Sequence, residues 1–265
     1  MTNNKIVCRM SGGLGNQLFE LSYALNLLNM SNIETIHLDG SSLQLYKSKH
    51  INYIKHFFDF SGAPFIIEEK KYFITKLRLP RFFALKKENW PLISDKNSDK
   101  IWRLNSSCIL DGYFIWALNQ NDFTAICRTL EKYLRDPLKI NILDDSCVMH
   151  IRGGDFLELG WNKHTPDTYY LNAMRVMSEN YNIKYFIAIT DDMKYAKELL
   201  CKCKYDYEIR SNDMKTDFYT IANSKYKIIG GSSFAIWASA LGYNGKDGKL
   251  IAPPCKVLLP NQMEG

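Results

Sequence analysis

Four short segments combine residue types that bind anionic ligands. They are residues 11–17 (SGGLGNQ), 150–155 (HIRGGD), 190–192 (TDD) and 230–234 (GGSSF). Glycine lets a ligand approach the backbone closely, arginine grips phosphate oxygens through a planar fork, and a helix N-terminus favours negative charge. The segments therefore predict a site for a phosphorylated ligand.

In the first segment, Gly13, Gly15 and Asn16 stand where a glycine turn opens a helix. Their N–H groups could meet a phosphate or a sugar hydroxyl, although a purely structural turn explains the pattern equally well. Leu18 occupies the place of the third glycine of a dinucleotide fingerprint, and a P-loop lysine is missing. The segment is therefore neither of these two motifs.

In the second segment, strand alternation puts His150 and Arg152 on one face, and two glycines follow. An always-charged guanidinium suits a diphosphate. The alternative is an ion pair between Arg152 and Asp155 that fixes the turn.

The third and fourth segments each precede a predicted helix. Asp191 could accept hydrogen bonds from ribose hydroxyl groups or from base N–H groups, or one carboxylate of the Asp191–Asp192 pair could cap the helix. Ser232, Ser233 and Phe234 open the last helix, where hydroxyl groups and a helix N-terminus make an anion site; one serine would serve as its N-cap.

We predict no metal site. Cys201 and Cys203 are too close in sequence for a usual zinc pair and have no partner pair, and the histidines are scattered. The cofactor prediction is likewise none.

The elements that must position these residues alternate regularly in the C-terminal half. Strands are predicted at 147–151, 185–190, 207–210, 226–229 and 249–252, with helices between them. The N-terminus reads as strand, glycine turn, helix and strand, which is one β-α-β unit. Residues 43–107 show no clean period and are interpreted as irregular, and a strand follows at 109–114 with a helix at 119–135. This pattern predicts an α/β protein with a doubly wound parallel sheet.

The domain prediction is an N-terminal, acceptor-side Rossmann-like lobe at 1–140 and a ligand-binding lobe at 146–265. With 265 residues and 46% apolar content, the chain can bury a sizeable core in each lobe. The net charge of +6 is concentrated at 46–106, a stretch that contains 13 basic and 6 acidic residues. That stretch fits an acceptor groove, a peripheral contact with an anionic membrane surface, or an ordinary solvated face; stacking motifs for nucleic acid are missing, so no nucleic-acid partner is predicted.

Seven cysteines without a regular framework indicate a reducing compartment. No signal peptide and no apolar run of membrane-spanning length is visible. We expect a cytoplasmic protein, with peripheral contact at the inner face of the membrane as an option.

Taken together and in order, the segments resemble the bacterial α-1,2-fucosyltransferase family, which is of the glycosyltransferase family 11 type. The resemblance rests on motifs spread along nearly the whole chain, namely residues 12–19 (GGLGNQLF), 111–114 (DGYF), His150-x-Arg152 with Asp155, Tyr169-Tyr170, Asp191-Asp192, residues 221–224 (IANS), and residues 232–234 (SSF) with Trp237.

The resemblance implies a GT-B-like fold of two Rossmann-like lobes and metal-independent transfer of L-fucose from GDP-fucose. It places Arg152 on the β-phosphate, Ser232 and Ser233 on the diphosphate and Asp191 near the guanosine, with Gly15 and Asn16 approaching from the first lobe. It also implies a galactose-terminated oligosaccharide as acceptor, lipid-linked in surface polysaccharide (O-antigen) synthesis. Gly153 departs from the family, which usually has a second arginine there.

The implied reaction inverts the anomeric centre, so leaving-group stabilisation dominates. The predicted catalytic residues are Arg152, Asp155 and His150. Asp155, Glu158 and Asp39 are alternative bases for the acceptor hydroxyl, and Asp155 is preferred. Other readings are a GDP-sugar transferase of another linkage, an inactive nucleotide-sugar-binding protein and a Rossmann dehydrogenase.

Overall fold

The computed structural model describes residues 4–43, 50–70, 90–98, 104, 106–115, 117–135, 145–242, 247–254, 259, 262 and 263. The chain divides into two compact units, Met1–Arg135 and Asp136–Gly265. The lobe boundary predicted near 137–146 lies mostly outside the described residues. So does much of the predicted basic surface at 46–106.

The N-terminal unit contains a parallel five-stranded sheet of order β3-β2-β1-β5-β4. Its strands are β1 (Lys5–Arg9), β2 (Thr35–Asp39), β3 (Ile66–Glu69), β4 (Leu92–Ile93) and β5 (Cys108–Leu110). Its helices are α1 (Leu14–Asn29), the short α2 (Ile54–Phe57) and α3 (Gln120–Glu131), and a 3-10 helix spans Gly40–Ser42.

Two of these strands, β3 and β4, lie in the stretch that the sequence predicted as irregular. Three of the four residues of β3 are exposed, and β4 has only two residues. Neither strand shows apolar alternation, because each lies at an edge of the sheet.

The C-terminal unit contains a second parallel sheet, of order β10-β9-β6-β7-β8. Its strands are β6 (Ser146–Ile151), β7 (Tyr185–Thr190), β8 (Asp206–Arg210), β9 (Tyr226–Ile229) and β10 (Lys249–Ile251). Its helices are α4 (Asp155–Glu158), α5 (Asp167–Tyr181), α6 (Met193–Leu200), α7 (Met214–Asn223) and α8 (Ser233–Ala240), and a 3-10 helix spans Trp161–His164. The predicted α/β class with parallel sheets is confirmed.

The central strand β6 is buried along its whole length because helices cover both faces of this sheet. Cys147, Met149 and Ile151 pack in a core cluster with residues of α5 and α6. The alternate residue His150 faces α8, where its ring contacts Phe234. In doubly wound sheets of this kind, ligands bind at the carboxyl ends of the strands.

Among the described residues, no helix is long and apolar enough to cross a bilayer. The cysteines of β1, β5, α3 and β6 are buried free thiols. Burial raises the pKa of Cys108 and of Cys127 to about 12, so these two thiols stay protonated and unreactive.

Candidate active site

The strand order of the C-terminal sheet reverses between β6 and β9. From β6 the chain adds β7 and β8 on one side and then β9 and β10 on the other. In open α/β sheets such a reversal leaves a crevice at the carboxyl ends of the two central strands. The residues that follow these two strands are the predicted segments 150–155 and 230–234.

Arg152 follows β6 directly and lies between two carboxylates. Its Nη1 is 2.6 Å from Asp191 Oδ2, and its Nη2 is 2.8 Å from Asp155 Oδ1. The arginine side chain is 33% exposed, so its remaining N–H donors are open to a ligand. The ion pair between Arg152 and Asp155, which was the alternative interpretation, is therefore present. It leaves the arginine side chain partly exposed.

Gly153 and Gly154 are fixed by the two carboxylates that follow β7. Gly153 N donates to Asp191 Oδ1 at 2.9 Å, and Gly154 N donates to Asp192 Oδ2 at 3.3 Å. A Cβ atom on Gly153 would overlap Asp192, and Gly154 has a φ of +47°. An arginine at position 153 does not fit this backbone, which explains locally why glycine stands there.

Asp191 and Asp192 bond different groups. Asp191 holds Arg152 and the Gly153 N–H, whereas Asp192 accepts from Tyr195 N at 3.0 Å and so caps α6. The N–H donors of Tyr195 and Gly154 lower the pKa of the Asp192 carboxyl. The predicted contact of Asp191 with guanosine stays a prediction.

Two tyrosines of α5 buttress the crevice. Tyr169 Oη donates to the carbonyl of Ile229 at 2.7 Å, at the end of β9. Tyr170 is 2% exposed and hydrogen-bonds to Thr165 and to the backbone of Arg152. Its hydroxyl occupies the space that a side chain on Gly230 would need. Sequence reasoning recognised this pair only as a family motif; its contacts require the fold.

Helix α8 begins immediately after β9. Ser232 is its N-cap and accepts Ile236 N at 3.0 Å through its backbone carbonyl, but its side chain makes no capping bond. The side chain of Ser232 therefore does not cap the first turn of α8, and a helix N-terminus of this kind suits an anion. Phe234 anchors the turn, with its ring centroid 5.7 Å from that of Phe218.

His150 is 5% exposed and lies beneath this turn, with its ring centroid 5.9 Å from that of Phe234. Burial, and secondarily the charge of Arg152, lowers the pKa of His150 to about 3. Its Nδ1 has no hydrogen-bond partner among the described residues. At neutral pH the ring is therefore uncharged. The predicted catalytic role of His150 stays a prediction.

The N-terminal unit places its predicted residues at the carboxyl end of β1. Gly12 has a φ of +66° and lies against the side chain of Asn16, Gly13 is the N-cap of α1, and Gly15 is buried in its first turn. Gly13 has no side chain that could cap the helix, and the space that a side chain would take is open. This turn has the features of a ligand-approach site within its own unit.

Sequence reasoning missed a charged cluster at the same strand ends. Arg9 Nη1 lies 2.9 Å from Asp111 Oδ2, and Asp95 accepts from the backbone N–H groups of Tyr113 and Phe114. Buried Glu20 accepts Ser11 N at 3.0 Å and also bonds the Ser11 hydroxyl. Glu20 could have been noticed as a charge on the buried face of α1, whereas Asp95 gave no signal.

Burial raises the pKa of Glu20, and the charges of Asp111 and Asp95 raise it further against the lowering effect of Ser11. Of the other carboxylates considered as bases, Asp39 is 1% exposed and caps the 3-10 helix through Ser41 N, whereas Glu158 is exposed in α4. Among the described residues, no group of three or more His, Cys, Asp or Glu side chains could hold a metal ion.

Comparison with known proteins gives a consistent result. The model of the family "Glycosyl transferase family 11" matches residues 124–257, just over half of the chain. An alpha-1,2-colitosyltransferase of Escherichia coli is 27% identical over 283 aligned positions, which cover 94% of this chain and 91% of that protein.

Solved structures agree in fold. Fucosyltransferase NodZ from Bradyrhizobium has a TM-score of 0.56 at 16% identity, covering 91% of this chain and 94% of that one. Arabidopsis thaliana FUT1 in complex with GDP has a TM-score of 0.52 at 10% identity, covering 96% and 71%. The predicted α/β, GT-B-like fold class and the predicted family resemblance are both confirmed, and the chain belongs to glycosyl transferase family 11.

Proposed function

We propose that this glycosyltransferase moves L-fucose from GDP-β-L-fucose to the 2-hydroxyl group of a terminal galactose on an oligosaccharide. One observation carries the proposal: a partly exposed arginine fork, and a helix whose N-cap side chain makes no capping bond, follow the two strands at the sheet reversal. Guanidinium and backbone N–H donors at such a place suit a diphosphate. Solved relatives in fold include NodZ alpha-1,6-fucosyltransferase co-crystallised with GDP.

In the proposed reaction the acceptor oxygen attacks C1 of fucose as the bond from C1 to the β-phosphate oxygen breaks. GDP leaves with the bonding electron pair, the acceptor proton passes to a base, and the configuration inverts. Arg152 and the N–H groups that open α8 stabilise the developing charge on the diphosphate. Removing one such preorganised donor typically costs about 10²- to 10³-fold in rate.

The proposed roles divide the predicted residues. Arg152, Ser232, Ser233 and Phe234 form the phosphate-binding cradle, and Asp191 orients Arg152. Asp155 is the proposed base because its side chain is 64% exposed, so an acceptor hydroxyl group can reach the carboxylate. The glycine turn around Gly13 and Asn16 serves the acceptor side, and the acceptor belongs to surface polysaccharide synthesis.

The test uses purified protein with GDP-fucose, EDTA and a panel of oligosaccharides that end in β-galactose. Mass spectrometry should show the gain of one deoxyhexose, and linkage analysis should place it at the 2-position. A product of another linkage would reject the acceptor position while keeping the donor. Absence of transfer with every acceptor, together with no binding of GDP-fucose, would reject the proposal.

A second donor is favoured by one finding, the similarity to the alpha-1,2-colitosyltransferase of Escherichia coli. Colitose is fucose without its 3-hydroxyl group, so both sugars could share one phosphate-binding cradle. Parallel assays with GDP-fucose and GDP-colitose separate the two donors. A higher kcat/KM for GDP-colitose would replace fucose in the proposed function.

A further inference from the structure

An aromatic pair follows Arg152 closely in sequence. Phe156 lies in α4 and Trp161 opens the 3-10 helix that comes next. Their rings meet edge to face, with centroids 5.7 Å apart and an interplanar angle of 82°. The contact holds the two short helices together as one unit.

The aromatic pair borders both halves of the phosphate-binding cradle. Phe156 is the neighbour of Asp155, whose carboxylate bonds Arg152. Its Cζ lies 3.8 Å from the position that a Cβ on Gly231 would take, at the turn that opens α8. A ligand phosphate held by Arg152 and this turn would therefore have the aromatic pair as its neighbour.

The two aromatic rings expose apolar surface to solvent beside the polar residues of the cradle. Trp161 is 56% exposed, Phe156 is partly exposed, and neither belongs to the core cluster of the unit. Large apolar side chains left exposed beside a polar site are typical of ligand contact.

We propose that the Phe156–Trp161 pair is the wall that recognises the donor hexose and that it favours a sugar whose C5 substituent is a methyl group. The inference rests on the proposed function, because the group bonded directly to the β-phosphate is the hexose. A methyl group gains from contact with aromatic carbon, whereas a hydroxymethyl group loses its hydrogen bonds to water there. The pair therefore selects 6-deoxyhexose donors.

The experiment compares GDP-fucose with GDP-L-galactose, which differs only by a 6-hydroxyl group, and measures GDP affinity separately by calorimetry. Apolar contacts discriminate such pairs by about 10- to 100-fold, and we expect kcat/KM of the wild type to favour fucose by this factor. Trp161→Ala should reduce the preference about tenfold and leave the Kd for GDP unchanged. Leu159→Ala is the matched control, since Leu159 is equally exposed in the same segment, and it should keep the preference.

Phe156→Leu provides a second variant that keeps an apolar contact with Gly231 but removes the ring, and it should also lower the preference. A wild type without preference, or a preference unchanged in both variants, would overturn the inference. A parallel loss of GDP affinity in Trp161→Ala would assign the pair to the guanine base instead. Failure of the wild type to bind GDP would be a different result, because it rejects the proposed function itself.

Discussion

At the scale of single residues, the charged groups of the site are placed by local hydrogen bonds. Asp191 shares its carboxylate between the guanidinium of Arg152 and the N–H group of Gly153, so the cation and the loop are fixed together. A charge-assisted bond of this kind contributes about 1.5–3 kcal/mol. The arginine is thus oriented before any ligand arrives.

His150 should make stability depend on acid pH. Its pKa is about 3 in the folded protein and about 6.5 when unfolded, so between these values the unfolded chain binds one more proton. The contribution of the neutral ring is complete above pH 6.5 and is lost as the pH falls towards 3. The free energy of unfolding should fall by up to about 1.4 kcal/mol per pH unit in this window. Urea unfolding of wild type and His150→Phe at several pH values measures it; equal slopes would contradict the prediction.

Glu20→Gln should stabilise the protein at neutral pH, by about 1 kcal/mol. Because the pKa of Glu20 is raised, its protonated form is the stabilising one, and that contribution is lost as the pH rises above 4.5. Glutamine resembles the protonated acid and can keep both bonds to Ser11. Thermal melts should show a higher Tm for the variant at pH 7 and no difference near pH 4. A lower Tm at pH 7 would mean that the carboxylate itself is required.

At the scale of elements, the loop after β6 is held by the two carboxylates that follow β7. Gly153 has no space for a side chain because Asp192 must reach Gly154 and cap α6 at the same time. We call these contacts of Asp191 and Asp192 with the glycine backbone and α6 the carboxylate clamp. An arginine side chain at position 153 would break the clamp.

Gly153→Ala should cost about 1–3 kcal/mol of stability through overpacking and should weaken GDP binding. Gly231→Ala is the matched control for stability alone, since its new Cβ would meet Phe156 at an ordinary contact distance of 3.8 Å. Differential scanning fluorimetry and calorimetry with GDP measure both effects. Wild-type stability in Gly153→Ala would show that the clamp adjusts freely.

The sequence predicted each strand of the C-terminal unit to within one residue at either end, because strand and helix patterns alternate regularly along this part of the chain. Asp192, one of the two carboxylates considered as a helix cap, is the N-cap of α6 and accepts from Tyr195 N. The edge strands β3 and β4 escaped prediction since they bury too little to show a pattern. The rule that ligands bind at the carboxyl ends of strands placed Arg152 and Ser232 in the candidate site. It could not find the clamp at Gly153, Glu20 or Asp95, whose roles depend on contacts distant in sequence.

At the scale of the whole molecule, each unit contains a five-stranded parallel sheet with charged residues at its carboxyl edge. The family model spans residues 124–257, which include every residue of the proposed phosphate-binding cradle. The colitosyltransferase alignment extends the similarity to 94% of the chain. The similarity therefore extends into the N-terminal unit, where we propose that the acceptor binds.

Transfer should not depend on a divalent cation. The cradle supplies a guanidinium and helix N–H groups for the diphosphate charge, which is the task a metal ion performs elsewhere. Initial rates in EDTA and in added Mg²⁺ or Mn²⁺ should agree within about twofold, a margin set by salt screening. Loss of transfer in EDTA with recovery on adding Mg²⁺ or Mn²⁺ would contradict this.

The most direct test of the account is calorimetric titration of GDP into wild type, Arg152→Ala and Arg175→Ala. Arg175 is an exposed arginine of α5 that pairs with Glu179 and serves as the control. The wild type and Arg175→Ala should bind GDP with the same affinity, whereas Arg152→Ala should be folded and bind at least about tenfold more weakly, as expected for the loss of a charge-assisted hydrogen bond. Wild-type GDP affinity in a folded Arg152→Ala protein would contradict the placement of the donor diphosphate at the sheet reversal.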